Sequence, residues 1–174
     1  MRSINAAGTS RLFLALWPDE GTRASLARCR DAWVWAADAS PEPTDRLHLT
    51  LHFLGAVPHR RLLESIDGLR VRFSQFTLHL DRAQRWPNGV AVLTPKAVPP
   101  ALFALHAALR DRLERLNLTP ESRRWRPHVT LARRTGDSQA PAQISPVRWH
   151  VHGYALVESH AVTGDYVVLM HLQA

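Results

Sequence analysis

Hydrophobic and polar positions along the chain mark out an alternation of strands and helices. The apolar run Leu12 to Trp17 is halted by Pro18-Asp-Glu20. It is too short for a signal-peptide core or a membrane span, so Arg11 to Trp17 reads as a buried strand. Leu26, Cys29, Trp33 and Ala36 recur at helical spacing and predict a helix over Glu20 to Ala37. Pro41 and Pro43 mark Asp38 to Thr44 as a turn-rich loop. From Leu47 to Leu54 the period drops to two, with Leu47, Leu49, Leu51 and Phe53 on one face and His48, Thr50 and His52 on the other. Pro58 is placed to open a helix reaching Arg72. Phe76 to Arg85 alternates as a strand, and Asn88-Gly89 predicts a hairpin turn into Val90 to Leu93. Pro99-Pro100 opens a further helix ending near Leu116. Strands are then expected over Trp125 to Arg133, with Pro127 near its start, and over Val147 to Glu158 and Tyr166 to Leu172, the last two joined by a turn at Gly164. Thr135 to Pro146 is a polar loop, and residues 1–9 are expected to form a loose tail.

This order predicts an α+β fold. Two strand-and-helix units each lead into a strand bearing His-x-Thr, which suggests an internal duplication. The expectation is one domain over residues 1–174, made of two pseudo-symmetric lobes. Each contributes an antiparallel sheet facing a central cleft, with helices outside.

The chemistry-bearing strings are Arg46-Leu-His-Leu-Thr-Leu-His-Phe-Leu54 and Arg126-Pro-His-Val-Thr-Leu-Ala-Arg133. With 10 His and 10 Thr in the chain, His-x-Thr arises by chance about half a time. Two copies inside β-type alternation therefore say more than the bare pattern does. Residues two apart on a strand share a face, so His48 with Thr50, and His128 with Thr130, can address one ligand. Two imidazoles on opposite sides of a phosphorus could move protons in opposite directions, since an unperturbed pKa of about 6.5 makes both forms available. The two hydroxyls could donate to the non-bridging oxygens.

Other groups fit less chemistry. His48 and His52 would stand about 13 Å apart on a strand, too far to share a metal ion. His150 and His152 could chelate from one face, but no Cys or carboxylate cluster supports them, so no metal is expected. His150, His152 and Tyr154 form a polar stripe that suits packing or a cleft wall, and His52 suits a packing or rim role. Trp86, Trp125 and Trp149 suit the core, with base stacking as the alternative.

Charge adds a partner class. Net charge is +7, and 21 of the 22 basic residues are Arg, whose planar fork matches phosphate oxygens. A basic chain with six Trp suits nucleic acid. The lone Cys29 excludes an internal disulfide framework and favours a reducing, cytoplasmic setting. Monomer is the default expectation.

Both motifs with their flanks resemble the 2H phosphoesterase superfamily, and within it the RNA 2′,3′-cyclic phosphodiesterases also described as 2′-5′ RNA ligases. Arg11 to Leu16 is similar to the family's first strand, and Leu156-Val-Glu-Ser159 with Gly164-Asp-Tyr166 and Leu169 to its closing hairpin. Ala161 departs from the bulky aliphatic usual there, and Arg46 precedes the first motif where the family varies. The resemblance implies a bilobal fold, no metal or other cofactor, and hydrolysis of a terminal 2′,3′-cyclic phosphate on RNA to a 2′-phosphate. Fragments of tRNA are one candidate substrate, and no membrane partner is expected. It further implies His48 as the acid and His128 as the base, with Thr50, Thr130, Arg126 and Arg133 on the phosphate. Spacing alone does not assign acid and base. Rival readings are ligation at the same site, a small cyclic-nucleotide or ADP-ribose cyclic phosphodiesterase, and a non-catalytic RNA-binding module.

Overall fold

The computed structural model describes residues 9–58, 60–62, 66–120, 124–160 and 163–174. The fold is α+β with two antiparallel sheets. Its strands are β1 (Thr9–Leu16), β2 (Ser40–Pro41), β3 (Leu49–Pro58), β4 (Phe76–Leu80), β5 (Arg82–Trp86), β6 (Val90–Thr94), β7 (Val129–Arg133), β8 (Val147–Val151), β9 (Gly153–Ser159) and β10 (Tyr166–Gln173). Among the described residues the two long helices are α1 (Glu20–Asp31) and α2 (Pro100–Arg115). The large sheet runs β10-β9-β1-β3-β7-β6-β5, with β2 on β7, and the small sheet is β4-β8.

The two motif strands meet in the middle of the large sheet through the single pair Leu49–Val129. On one side of that joint lie β10, β9 and β1, and on the other β6 and β5. The main core, including Leu14, Leu16, Leu26, Leu49, Leu51, Leu105, Leu109 and Leu131, holds helices and sheets together. The opposite face of the β1–β9–β10 half carries a second apolar cluster of Phe13, Ala15, Ala155 and Val157, edged by Trp17, Tyr166 and Val168.

Two long strands expected from the sequence are each divided. Phe76 to Arg85 breaks at Asp81, whose backbone N–H donates to the Thr94 carbonyl and whose carboxylate accepts from the Lys96 N–H. The first piece, β4, pairs with β8, while β5 pairs with β6 in the large sheet. Val147 to Glu158 breaks at His152 in the same way. Gly153 then lies so near β10 that a Cβ there would sit 2.7 Å from the Leu172 carbonyl oxygen. Both breaks are corners where the chain passes between sheets, which alternation alone does not register.

The first helix stops at Asp31 rather than Ala37. The Ala32 N–H closes the last turn on the Arg28 and Arg30 carbonyls, and Val34 exchanges two backbone hydrogen bonds with Gln139. Trp33 and Trp35 stack at 5.0 Å, a contact between residues two apart that an α-helix does not allow. Pro58 ends β3 instead of opening a helix. Residues 60–62 are helical, Ile66–Leu69 is one 3₁₀ turn, and residues 59 and 63–65 of that expected helix fall outside the described residues. Thr9 belongs to β1, paired with Pro58, not to the expected tail. The short β2, read from sequence as loop, pairs with Ala132 and Arg133. The hairpin at Asn88-Gly89, the turn at Gly164 and the helix after Pro99 stand where expected. No described helix is long and apolar enough to cross a membrane.

Candidate active site

His48 and His128 each sit one residue before a central strand, β3 and β7, and each is half-buried. The antiparallel pair Leu49–Val129 defines a local two-fold relation. It relates residues 80 positions apart (129 − 49), and so exchanges His48 with His128 and Thr50 with Thr130. In a regular ladder such diagonal neighbours are about 7–8 Å apart. Their proximity is felt electrostatically, because a charge on His128 disfavours one on His48.

The backbone treats the two imidazoles alike. His48 Nδ1 lies 2.5 Å from the Arg46 carbonyl oxygen, and His128 Nδ1 2.6 Å from that of Arg126. A carbonyl only accepts, so each Nδ1 carries a proton, and the lone pair of a neutral ring is on Nε2. His48 Nε2 is 3.1 Å from Thr50 Oγ1, within the first motif. The two halves are also tied directly: Trp125 Nε1 donates to the Thr50 carbonyl at 3.0 Å.

The surroundings of the rings differ. His48 lies among Phe13 at 5.0 Å, Trp17 at 5.6 Å and Tyr166 at 5.4 Å between ring centroids. Burial by these rings pushes its pKa down to about 4, against the opposing effect of the Arg46 carbonyl. The charges of His128, Arg23 and Arg133 push the same way. His128 instead meets Trp86 at 4.6 Å. Arg126 is exposed and stacks over that same indole at 4.5 Å. Arg133 is also exposed and pairs with Glu42 at 3.0 Å. Its charge lowers the pKa of both His48 and Tyr166. Thr130 is half-buried, like Thr50.

His52 does not share the face of His48. Ala15 pairs with Thr50 and Leu14 with His52, so Leu51 is an extra residue in β3. This bulge turns His52 and Phe53 over, and a second irregularity at Leu54 reverses it for the end of the strand. His52, 6% exposed, points under the sheet, donates from Nε2 to the His106 carbonyl at 2.8 Å and stacks on the His106 ring at 4.0 Å. Phe53, expected beneath the sheet, comes up on the His48 side, in contact with Phe13 and 45% exposed. Among the tryptophans, Trp149 is buried in the core and Trp125 packs on His106. Tyr154 leaves the expected polar stripe and is buried, donating to the Leu69 carbonyl. Sequence reading missed the rings around His48. Phe13, with Ala15, alternates on the first strand and was a findable signal, whereas Tyr166 was marked only as part of the closing hairpin, with nothing local to bring it to His48.

Among the described residues, no group of three or more His, Cys, Asp or Glu side chains is placed to hold a metal ion. What the joint brings near one another is two half-buried imidazoles and two half-buried hydroxyls, with the exposed Arg126 and Arg133 held by Trp86 and Glu42.

A sequence profile of the 2′-5′ RNA ligase superfamily matches residues 17–163. The chain belongs to that superfamily. It is 32% identical over 151 residues to a protein of Escherichia coli named RNA 2′,3′-cyclic phosphodiesterase, covering 85% of this chain and 83% of the relative. It is also 32% identical over 162 residues to a Thermus thermophilus protein of the same name, covering 86% and 81%. Among solved structures, E. coli LigT complexed with 3′-AMP superposes with a TM-score of 0.79 at 29% identity, over 95% of this chain and 98% of that one. Within this superfamily member, the joint between β3 and β7 is where both His-x-Thr strings meet.

Proposed function

We propose that the protein hydrolyses 2′,3′-cyclic phosphate ends of RNA to 2′-phosphates, as a single domain of two related lobes, with His48 and His128 as acid and base. The observation that carries this reading is the two-fold placement of His48/Thr50 and His128/Thr130 about the Leu49–Val129 pair. The names of the relatives in E. coli and T. thermophilus support the substrate class.

The reaction needs one proton removed and one supplied. His128 Nε2 takes a proton from water as its oxygen attacks phosphorus. The P–O3′ bond breaks, and His48 Nε2–H protonates the departing 3′ oxygen, leaving the phosphate on the 2′ oxygen. Thr50 and Thr130 donate to the non-bridging oxygens, where negative charge gathers. Arg126 and Arg133 supply positive potential at the rim.

A pKa of about 4 leaves His48 neutral in the empty site at pH 7. The arriving phosphate changes that. A unit anion about 4 Å away at an effective dielectric constant of about 20 is worth about 4 kcal/mol. That corresponds to about 3 pKa units, enough to restore an acid near neutrality. The substrate thus brings His48 its proton from solvent. Thr50 reorients with it: its hydroxyl donates to a neutral Nε2, but is released to donate to phosphate once Nε2 itself carries a proton.

The test is turnover of an oligonucleotide ending in a 2′,3′-cyclic phosphate, in EDTA, with the 2′- and 3′-monophosphate products resolved. The reading expects 2′-phosphate only, with an undiminished rate in chelator. A 3′-phosphate product, or no turnover, would overturn it.

A further inference from the structure

Register carries the floor of the active site well beyond the catalytic residues. Thr50 pairs with Ala15, Ala15 with Ala155, and Ala155 with His171. Directly opposed residues project to the same side of a sheet, so Thr50 and His171 share one surface, about 14 Å apart across three strand spacings. Gln173, two residues further on β10, pairs with Gly153 and lies on the same face. At that end, beyond Trp17, is a cavity of about 170 Å³. Trp17, Asp19, His150, His152, His171 and Gln173 line it. Trp17 is the shared wall, since its ring also stacks on His48 at 5.6 Å.

The chemistry of the lining selects the occupant. Among the described residues no Arg or Lys lines the cavity, and Asp19 contributes a carboxylate, which disfavours phosphate. Asp19 also caps α1 by accepting from the Thr22 N–H at 2.7 Å, so that helix end already has its anion. The space is below the roughly 300 Å³ of sites for whole small-molecule ligands, but suits one heteroaromatic ring. Imidazoles, an indole and an amide offer flat faces and both donors and acceptors. The carboxylate accepts only, which favours a ring bearing an exocyclic amine. Beyond Gln173 begins a second cavity, of about 560 Å³, bordered by Arg70, Arg72 and Arg112, where cations suit the phosphodiester chain.

We propose that the cavity beside Trp17 is a nucleobase subsite for the RNA end, favouring amine-bearing bases over uracil. The inference rests on the RNA-end reading above. The base is either that of the nucleotide carrying the cyclic phosphate or that of the nucleotide before it, and the test separates these sources.

The variants are His171→Ala and Gln173→Ala, both at exposed positions, and Asp19→Asn, which keeps a capping oxygen. The substrates are cytidine and uridine 2′,3′-cyclic phosphates, and the matching dinucleotides varied at the first base. A loss of about tenfold in kcat/KM for mononucleotide and dinucleotide alike places the terminal base in the cavity, consistent with the usual strength of base contacts. The same loss in dinucleotides only places the preceding base there. In either case Asp19→Asn narrows the preference for cytosine over uracil. Unchanged kcat/KM on every substrate overturns the subsite. Titration with a dinucleotide ending in a 2′-phosphate reads the subsite without turnover. If the wild-type protein turned nothing over, the RNA-end reading would fail, while weaker binding by the alanine variants would still support the subsite and equal binding would reject it.

Discussion

Leu49 lies opposite Val129, and this one pair sets His48 and His128 on a shared diagonal at the joint of the large sheet. Neither leucine nor valine does chemistry. Both are fully buried, so their side chains anchor the two strands from below while the flanking histidines and threonines stand on the other face. A catalyst for proton transfer in two directions needs its groups held rigidly, and buried strands supply that better than loops.

His48→Ala or His128→Ala should reduce turnover of a cyclic-phosphate-ended oligonucleotide by about 10²–10⁴. Both rings are partly solvent-facing, so circular dichroism and the thermal midpoint should change little. Full activity in either variant would reject the assignment of roles.

Thr50→Val should lower kcat by about 10²-fold, the usual cost of losing one donor to a developing oxyanion. Thr50→Ser should keep most of the rate. Equal losses in both variants would mean that Thr50 acts by shape rather than through its hydroxyl.

How much of this was legible in the chain depends on the range of each interaction. The paired motifs, the α+β class and the hairpin at Asn88-Gly89 are written in local alternation and turn chemistry. The histidine pair needed only the repeat of a short string. The bulge at Leu51 was not legible, because it arises from how β1 and β3 align, so His52 and Phe53 exchanged their expected faces. The corners at Asp81 and His152 were hidden for a similar reason, since a strand that changes sheets keeps its period. The ring of aromatics at His48 joins residues 13, 17 and 166, a contact between the two ends of the chain that periodicity does not encode.

The depressed pKa of His48 gives a pH signature. In the empty protein its pKa is about 4, and phosphate should draw it upward by about 3 units. Histidine-labelled NMR titrations with and without inorganic phosphate measure this directly. In kinetics, the alkaline limb of kcat should lie at higher pH than that of kcat/KM, since only the first reports the occupied site. Coincident limbs, or an NMR pKa near 6.5 in the empty protein, would contradict the coupling.

Stability should fall on acidification. Burial, and then the charge of His52, holds His106 down to about 4, and burial likewise lowers His48. A histidine whose folded pKa lies below its unfolded value contributes stability that is whole above about 6.5 and is lost as pH drops toward 4. His106→Phe keeps a ring between His52 and Trp125 but removes one titration. Urea denaturation at pH 7 and pH 4.5 should show a smaller acid loss in that variant than in the wild type. An equal loss would rule out His106 as a contributor.

The most direct measurement is a crystal structure with a 2′-nucleotide product or inorganic phosphate in the site. One phosphate is expected there, with His48 Nε2 and His128 Nε2 each about 3 Å from different oxygens, and with the Thr50 and Thr130 hydroxyls on the remaining ones. A phosphate held by only one histidine, or bound away from the Leu49–Val129 joint, would contradict this arrangement.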